Sequence, residues 1–215
     1  MKTSWQTLTI LLAVALVVLT IKITFLDAKG GGETAAVADP RQTVLDAIMT
    51  RTSVRSYNSE AVSNEDIETL LRAGMAAPTA GNRQPWEFVV ITDRAVLDAI
   101  PEIIPASKML RKAPLGIVVC GVPSQSFAPP LDEYWVQDCS AVTENILIAV
   151  NGMGLGAVWC GAYPNNKANR VEAMRELLNL PEGVTALNVI AIGHPDKEPV
   201  VKDKWKPEKV HYNRY

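Results

Sequence analysis

Two stretches of the chain decide its fold: Arg51-Thr-Ser-Val-Arg55-Ser-Tyr57 and, further along, Pro78-Thr-Ala-Gly-Asn82-Arg-Gln84-Pro85-Trp86. The first places two arginines and a serine at positions i, i+2 and i+4, so guanidinium and hydroxyl donors can surround a phosphate. Arginine suits that task because its planar fork pairs with two phosphate oxygens at once. The second is typical of a loop, and its side-chain amides can hydrogen-bond the edge of a flat heterocycle. Together the stretches predict a phosphorylated, ring-containing cofactor.

The composition is that of an enzyme domain of ordinary size. Of 215 residues, 20% are charged and the net charge is −2, which gives no indication of nucleic-acid binding. The three cysteines, Cys120, Cys139 and Cys160, form no CxxC pair. Cys120 and Cys139 lie among apolar residues, where a free cysteine behaves as a small hydrophobe. With only two histidines in the chain, we expect no zinc site.

The N-terminal segment differs from the rest of the chain. Thr7 to Leu26 is almost continuously apolar, and about 20 such residues suffice to cross a bilayer as a helix. Lys22 lies near the end of this run, where its side chain can reach the headgroups. We therefore predict a membrane anchor at 1–27 and a flexible linker at 28–39, with a cleaved signal segment as the alternative to the anchor. The lysine and arginine distribution slightly favours a domain at the cytoplasmic face, and the side of the membrane stays open.

Hydrophobic periodicity places helices and strands alternately along residues 40–215. A capping box at Ser63–Asp66 opens the second helix, and Asp93 is expected to cap the third. The predicted helices are 40–50, a segment from 63 to about 74, a short one after Asp93, 105–111, 132–153 and 166–178. The predicted strands are 86–92, 114–122, 157–160 and 185–193. Since the glycine run 152–156 follows a helix and precedes a strand, it is not a dinucleotide-binding loop, which has the reverse order.

The motifs resemble those of the nitroreductase family of FMN-dependent oxidoreductases. That family carries R-x-S-x-R/K, then P-S/T-x-x-N-x-Q-P-W, then a G-L-G-x-x-W stretch that 154–161 matches here, and a basic pair that Lys202 and Lys204 fit. The resemblance covers roughly residues 40 to 215. It implies an α+β fold with a central, mostly antiparallel sheet surrounded by helices, here preceded by a transmembrane helix. It also implies a homodimer with FMN at the subunit interface and a C-terminal tail that wraps the partner.

The resemblance assigns roles to individual residues. Arg51 and Ser53, with the two lysines, are similar to the family's phosphate ligands, and Arg55 to the residue near the pyrimidine edge of the flavin. The backbone of Cys160 and Gly161 is expected near flavin N5. The residues alone leave other roles open: a helix-terminal arginine on a solvated face, or local turn bonding by asparagine. The full predicted cofactor-binding set is Arg51, Thr52, Ser53, Arg55, Pro78, Thr79, Ala80, Asn82, Gln84, Trp159, Cys160, Gly161, Lys202 and Lys204.

The activity implied is ping-pong hydride transfer from NAD(P)H through flavin N5 to nitroaromatic, quinone or similar flat acceptors, with no catalytic side chain and no metal. An acceptor-side wall is expected at Gln125 to Trp135, a segment that could equally pack against a dimer partner. Two alternatives stay open. One is a reductive dehalogenase like the iodotyrosine deiodinases, which carry a Glu, a Tyr and a Lys on a lid. This chain has Glu102, Lys108 and Tyr134 in the corresponding stretch, but their arrangement does not match that lid. The other is a membrane-tethered flavin-binding module without turnover.

Overall fold

In the computed structural model, which describes residues 40–164 and 169–215, four strands form one sheet. The sheet order is β1-β2-β4-β3, and all three strand pairs are antiparallel, as predicted. β3 is therefore an edge strand. The strands are β1 (Trp86–Ile91), β2 (Leu115–Gly121), β3 (Gly156–Gly161) and β4 (Thr185–Gly193).

Five α-helices accompany the sheet in the described part of the chain. The side chain of Ser63 accepts a hydrogen bond from the Asp66 amide at 3.0 Å and so caps the second helix, while Asp93 accepts from the Ala95 amide at 2.8 Å and caps the third. Both predicted caps are confirmed. The helices are α1 (Pro40–Thr50), α2 (Asn64–Met75), α3 (Arg94–Ile103), α4 (Tyr134–Gly152) and α5 (Arg170–Leu178).

Each face of the sheet carries its own hydrophobic core. On one face α2 and α4 pack over β2 through Leu70, Ile146 and Ile117. On the other face α3 and α5 pack over it through Leu97 and Met174. β2 is buried along its whole length, which explains its continuous apolar sequence. Each fully buried leucine or isoleucine contributes about 1.5–3 kcal/mol by leaving water.

Three predicted elements differ from the structure by more than one residue or in helix type. Helix α4 begins at Tyr134 rather than at residue 132, and Pro105–Arg111 is a 3-10 helix with a kink at Ser107 rather than an α-helix. Helix α5 begins at Arg170, and residues 165–168 lie outside the described ranges. The non-helical backbone at Ser107 (φ −100°, ψ 21°) interrupts regular α-helical bonding there.

The predicted anchor and linker lie outside the described residues. Within 40–164 and 169–215, no helix is long and apolar enough to cross a bilayer. The division into anchor, linker and domain at residues 27 and 39 therefore stays a prediction from sequence.

The C-terminal tail from Asp196 onward lies largely exposed. It carries large apolar side chains in water, among them Val200 (76% exposed), Trp205 (70%) and Tyr212 (85%). Such side chains are unusual on the surface of a monomer and mark an interaction surface. This agrees with the expectation of a tail that wraps a partner subunit, which stays a prediction.

Candidate functional site

The Arg51–Tyr57 segment runs along the open edge of β3. Ser53 forms a parallel bridge with Ala157, and the Val54 amide donates to the Ala157 carbonyl at 2.9 Å. This pairing places the first predicted motif beside the third, although about a hundred residues separate them in sequence.

The end of β3 beyond this bridge is open. Backbone groups of successive residues in an antiparallel ladder point to opposite sides. Because Ala157 faces the Arg51–Tyr57 segment, Trp159 and Gly161 also direct their amides away from β4. Cys160 lies between Trp159 and Gly161, so by this alternation its amide points toward β4 instead. Of the two backbone positions expected near N5, only Gly161 therefore faces the open edge.

Trp159 and Gly161 form an exposed platform on the α4 face of the sheet. The Trp159 side chain is 37% exposed, although it stands in a strand whose neighbouring residues are buried. A Cβ on Gly161 would meet no atom closer than the Tyr163 carbonyl oxygen at 3.8 Å. Glycine at this position lets a flat molecule approach the backbone closely.

Several cationic side chains lie along and beside the Arg51–Tyr57 segment. Lys204 donates from Nζ to the Arg51 carbonyl at 2.7 Å, which brings two predicted phosphate ligands together. A cavity of about 370 Å³ is lined by Thr52, Ser53, Arg55 and Lys202, and also by the carboxylate residues Asp196 and Glu198. No described carboxylate lies within ion-pair distance of Arg55 or Lys202. The cavity therefore presents guanidinium, ammonium and hydroxyl donors that an anion can bind.

Arg51 is held from the side by helix α4. Its Nε lies 3.5 Å from Oε1 of Glu144, and its side chain is 22% exposed. The contact uses Nε, and no described residue bonds the two terminal nitrogens of the fork, which can therefore bind an anion. The sequence analysis did not predict a role for Glu144. Its one indication in the sequence is that a charged residue stands in a helix that is apolar almost all round.

The loop before β1 has an unusual backbone. Asn82 and Gln84 have φ values of 53° and 50°, in the left-handed region that non-glycine residues rarely adopt. The backbone amide of Gln84 donates to the Thr79 hydroxyl at 3.2 Å. The side-chain amide of Gln84 donates from Nε2 to Oδ1 of Asn82, also at 3.2 Å. Strain of this kind persists only where the surroundings impose it, and it concentrates at functional sites.

Asp138 of α4 fixes the start of this loop. Its Oδ1 accepts from the Ala80 amide at 2.9 Å, and the residue is 5% exposed. Asp138 and Glu144 are six residues apart in one helix, a rise of about 9 Å. Helix α4 thus contacts both the Arg51–Tyr57 segment and the Thr79–Gln84 loop, at positions about 9 Å apart along its axis.

Cys160 is not a nucleophile in this arrangement. Burial raises the pKa of its thiol to about 11, and the positive charge of Arg55 offsets only part of that effect. The thiol packs against Met109 Sδ at 3.7 Å and stays protonated at neutral pH. Cys120 and Cys139 are fully buried, as expected for small hydrophobes.

Comparison with known proteins identifies the family. The sequence profile of the Nitroreductase family matches residues 48–106 and 105–194. The chain belongs to the nitroreductase family. A protein of Archaeoglobus fulgidus, named as a candidate NADH dehydrogenase/NAD(P)H nitroreductase, is 42% identical over 174 residues. That alignment covers 80% of this chain and 98% of the relative.

Solved structures of family members share the fold. A candidate NADH dehydrogenase/NAD(P)H nitroreductase of Bacteroides thetaiotaomicron is 45% identical, with a TM-score of 0.74, and covers 80% of this chain and 98% of its own. A nitroreductase of Desulfovibrio desulfuricans solved in complex with FMN is 28% identical, with a TM-score of 0.67, over 83% and 99% of the two chains. The prediction of an oxidoreductase of the nitroreductase family is confirmed.

Proposed function

We propose that this member of the nitroreductase family binds FMN and uses NAD(P)H to reduce flat acceptors such as nitroaromatics and quinones. The observation that carries the proposal is the bridge between Ser53 and Ala157, which sets the Arg51–Tyr57 segment, with Lys204 bonded to it, against the strand that carries Trp159 and Gly161. A phosphate group and a flat ring of one molecule can be bound there together.

The residues present fit FMN. Arg51, Ser53, Lys202 and Lys204 supply donors for a phosphate of charge close to −2. Glu144 contacts Arg51, and Asp196 and Glu198 line the cavity with Lys202, so these carboxylates limit where the phosphate can lie. The space above Gly161 is clear of side chains, so a ring can lie against the edge of β3. The side-chain amides of Asn82 and Gln84 stand on the loop that Asp138 of α4 fixes at Ala80. Thr52, Pro78, Thr79 and Ala80 would shape the walls.

When bound, FMN supplies a ring that takes up a hydride equivalent from a reduced nicotinamide and passes two electrons on to an acceptor. For a nitroaromatic the balance is NAD(P)H + H⁺ + ArNO₂ giving NAD(P)⁺ + ArNO + H₂O. For a quinone, NAD(P)H and one proton give NAD(P)⁺ and the hydroquinone. The chain's own contribution is to hold both partners in position and to keep water out.

Arg55 has a tuning role in this proposal. Its charge acts on the Cys160 thiol, so the guanidinium lies close to the strand that carries the platform. A fixed cation beside the pyrimidine edge of a flavin stabilises negative charge that develops there on reduction. Arg55 would thereby raise the reduction potential without taking or giving a proton.

The two alternatives have less support. Glu102 forms an ion pair with Arg111 at 2.5 Å, and Tyr134 packs edge-on against Phe127 at 5.8 Å. Neither contact builds a clamp for an amino-acid zwitterion, as a deiodinase-like lid would. The other alternative, a module that binds flavin without turnover, gives no function to the exposed face at Trp159.

The deciding experiment uses the purified full-length protein under anaerobic conditions. The protein should be yellow, should bleach on addition of NADH or NADPH, and should regain colour on addition of a quinone or a nitroaromatic. Bound flavin that neither nicotinamide reduces would overturn the enzyme proposal and favour the module. Sedimentation of the same sample tests the proposed homodimer, and membrane fractionation of the host cells tests the predicted anchor at 1–27.

A further inference from the structure

A second cavity shares a wall with the loop that carries Asn82 and Gln84. Its volume is about 460 Å³, and its lining includes Arg83, Ser126, Phe127 and Asp132. The Phe127 ring packs against the loop so closely that a Cβ on Gly81 would lie 2.9 Å from the Phe127 Cζ. One side of the loop thus faces this cavity, and the segment opposite is the stretch expected to cover the acceptor.

The cavity combines an aromatic surface with an uncommitted cation. The Arg83 guanidinium carbon lies 5.1 Å from the centre of the Phe127 ring, and Tyr134 meets the same ring edge-on. No carboxylate of the described residues lies within 4.0 Å of the Arg83 guanidinium. A guanidinium that stacks on an aromatic ring uses its flat face for that contact. Its N–H groups point outward in the plane of the guanidinium and can still bind an anion.

A buried hydroxyl completes the donor set. Ser126 is 6% exposed, and its Oγ has no hydrogen-bond partner among the described residues. Buried polar atoms are normally paired, so an unpaired one on a cavity wall points to a group that arrives from outside the chain. Asp132 lines the same cavity and opposes an anion, so it limits where a negative group can lie.

We propose that this cavity is the acceptor subsite and that Arg83 binds an anionic substituent on an aromatic acceptor. This inference rests on the proposed function, and it narrows the substrate class to aromatic rings that bear a carboxylate or sulfonate. The ring packs against Phe127, and the anionic group pairs with the fork of Arg83. For 4-nitrobenzoate the balance is NAD(P)H + H⁺ + nitrobenzoate giving NAD(P)⁺ + nitrosobenzoate + H₂O.

The test compares a charged acceptor with a neutral one of the same shape. We would measure kcat/KM for 4-nitrobenzoate and for 4-nitrobenzamide in the native enzyme, in Arg83→Gln and in Asp132→Asn. The native enzyme should favour the anion, and Arg83→Gln should lower the ratio of the two values by about two- to fivefold, as expected for a charge pair at an exposed arginine. Asp132→Asn should raise the ratio, and 0.5 M salt should shrink both effects. Taking a ratio removes any loss of folded or flavin-loaded protein.

A matched control is Arg72→Gln, which removes an exposed arginine paired with Glu68 on α2 and should leave the ratio unchanged. An unchanged ratio in Arg83→Gln would overturn the proposal. So would a change confined to flavin reduction by NADPH relative to NADH, because Arg83 would then bind the nicotinamide nucleotide. If no nicotinamide reduces the flavin, the proposed function fails by itself. Equilibrium dialysis of 4-nitrobenzoate against the native and Arg83→Gln proteins then decides the subsite, and equal binding refutes it.

Discussion

Replacing Arg51 by alanine is the sharpest test of the phosphate site. Arg51 is 22% exposed, its fork is steered by Glu144 at 3.5 Å, and Lys204 bonds its backbone carbonyl. A hydrogen bond to a charged group contributes about 1.5–3 kcal/mol, and 1.4 kcal/mol corresponds to a tenfold change in affinity. We therefore expect Arg51→Ala to weaken FMN binding by about tenfold to a hundredfold. Arg51→Lys should lie between, because it keeps the charge and loses the fork.

The fold should tolerate the change. Glu144 is 50% exposed, so the loss of its partner leaves no buried charge, and the Lys204 bond to the backbone carbonyl does not depend on the side chain. The assay is FMN titration of the apoprotein, followed by flavin fluorescence, with thermal unfolding of the apoprotein measured in parallel. Arg72→Ala serves as the control for loss of a surface arginine. An FMN dissociation constant that matches the native one would refute the phosphate assignment. A large loss of apoprotein stability would show instead that Arg51 is structural.

Three further predictions follow from the same geometry. Arg55→Gln should lower the flavin midpoint potential while Arg55→Lys stays near the native value, and a redox titration that finds all three equal contradicts the tuning role. Deletion of residues 1–39 should leave a flavin-loaded dimer in the supernatant, since every predicted cofactor residue lies beyond Pro40; a fully flavinated monomer by light scattering would disprove the interface site. Burial raises the pKa values of Cys120 and Cys139 to about 12 and of Cys160 to about 11, so the folded state favours the neutral thiols. Their contribution to stability should be complete below pH 9 and lost as the pH rises to 11–12, so urea midpoints that stay level to pH 12 would contradict it.

Sequence patterns predicted the helices and strands well, because the signals for these elements lie in neighbouring residues. The caps at Ser63 and Asp93 need only a side chain and the next turn of backbone, and the apolar run at 115–121 needs only burial. The sheet order was out of reach of this reasoning, since nothing in the sequence says that β4 lies between β2 and β3. The edge position of β3, on which the platform depends, follows from that order.

The site residues divide in the same way. Arg51 and Ser53 were predicted because they belong to a motif, whereas Glu144 and Asp138 were not, because each acts through a single contact with a distant segment. The left-handed backbone of Gln84 could not be predicted either, since glycine and asparagine are the residues that favour it. Tertiary contacts impose that conformation against the local preference.

Helix α4 contacts two motifs that are far apart in sequence and that the proposed function assigns to one cofactor. It is buried on the sheet side through Val142 and Ile146, so its position relative to β2 and β4 is rigid. From that rigid support, Asp138 holds the loop of Asn82 and Gln84, and Glu144, about 9 Å further along the axis, steers the fork of Arg51. A ligand that bridges the phosphate donors and the loop amides therefore meets a spacing set before it binds. Preorganisation of this kind lowers the entropic cost of binding. It also requires that damage to α4 packing weakens FMN binding, even when every residue that touches the cofactor is intact.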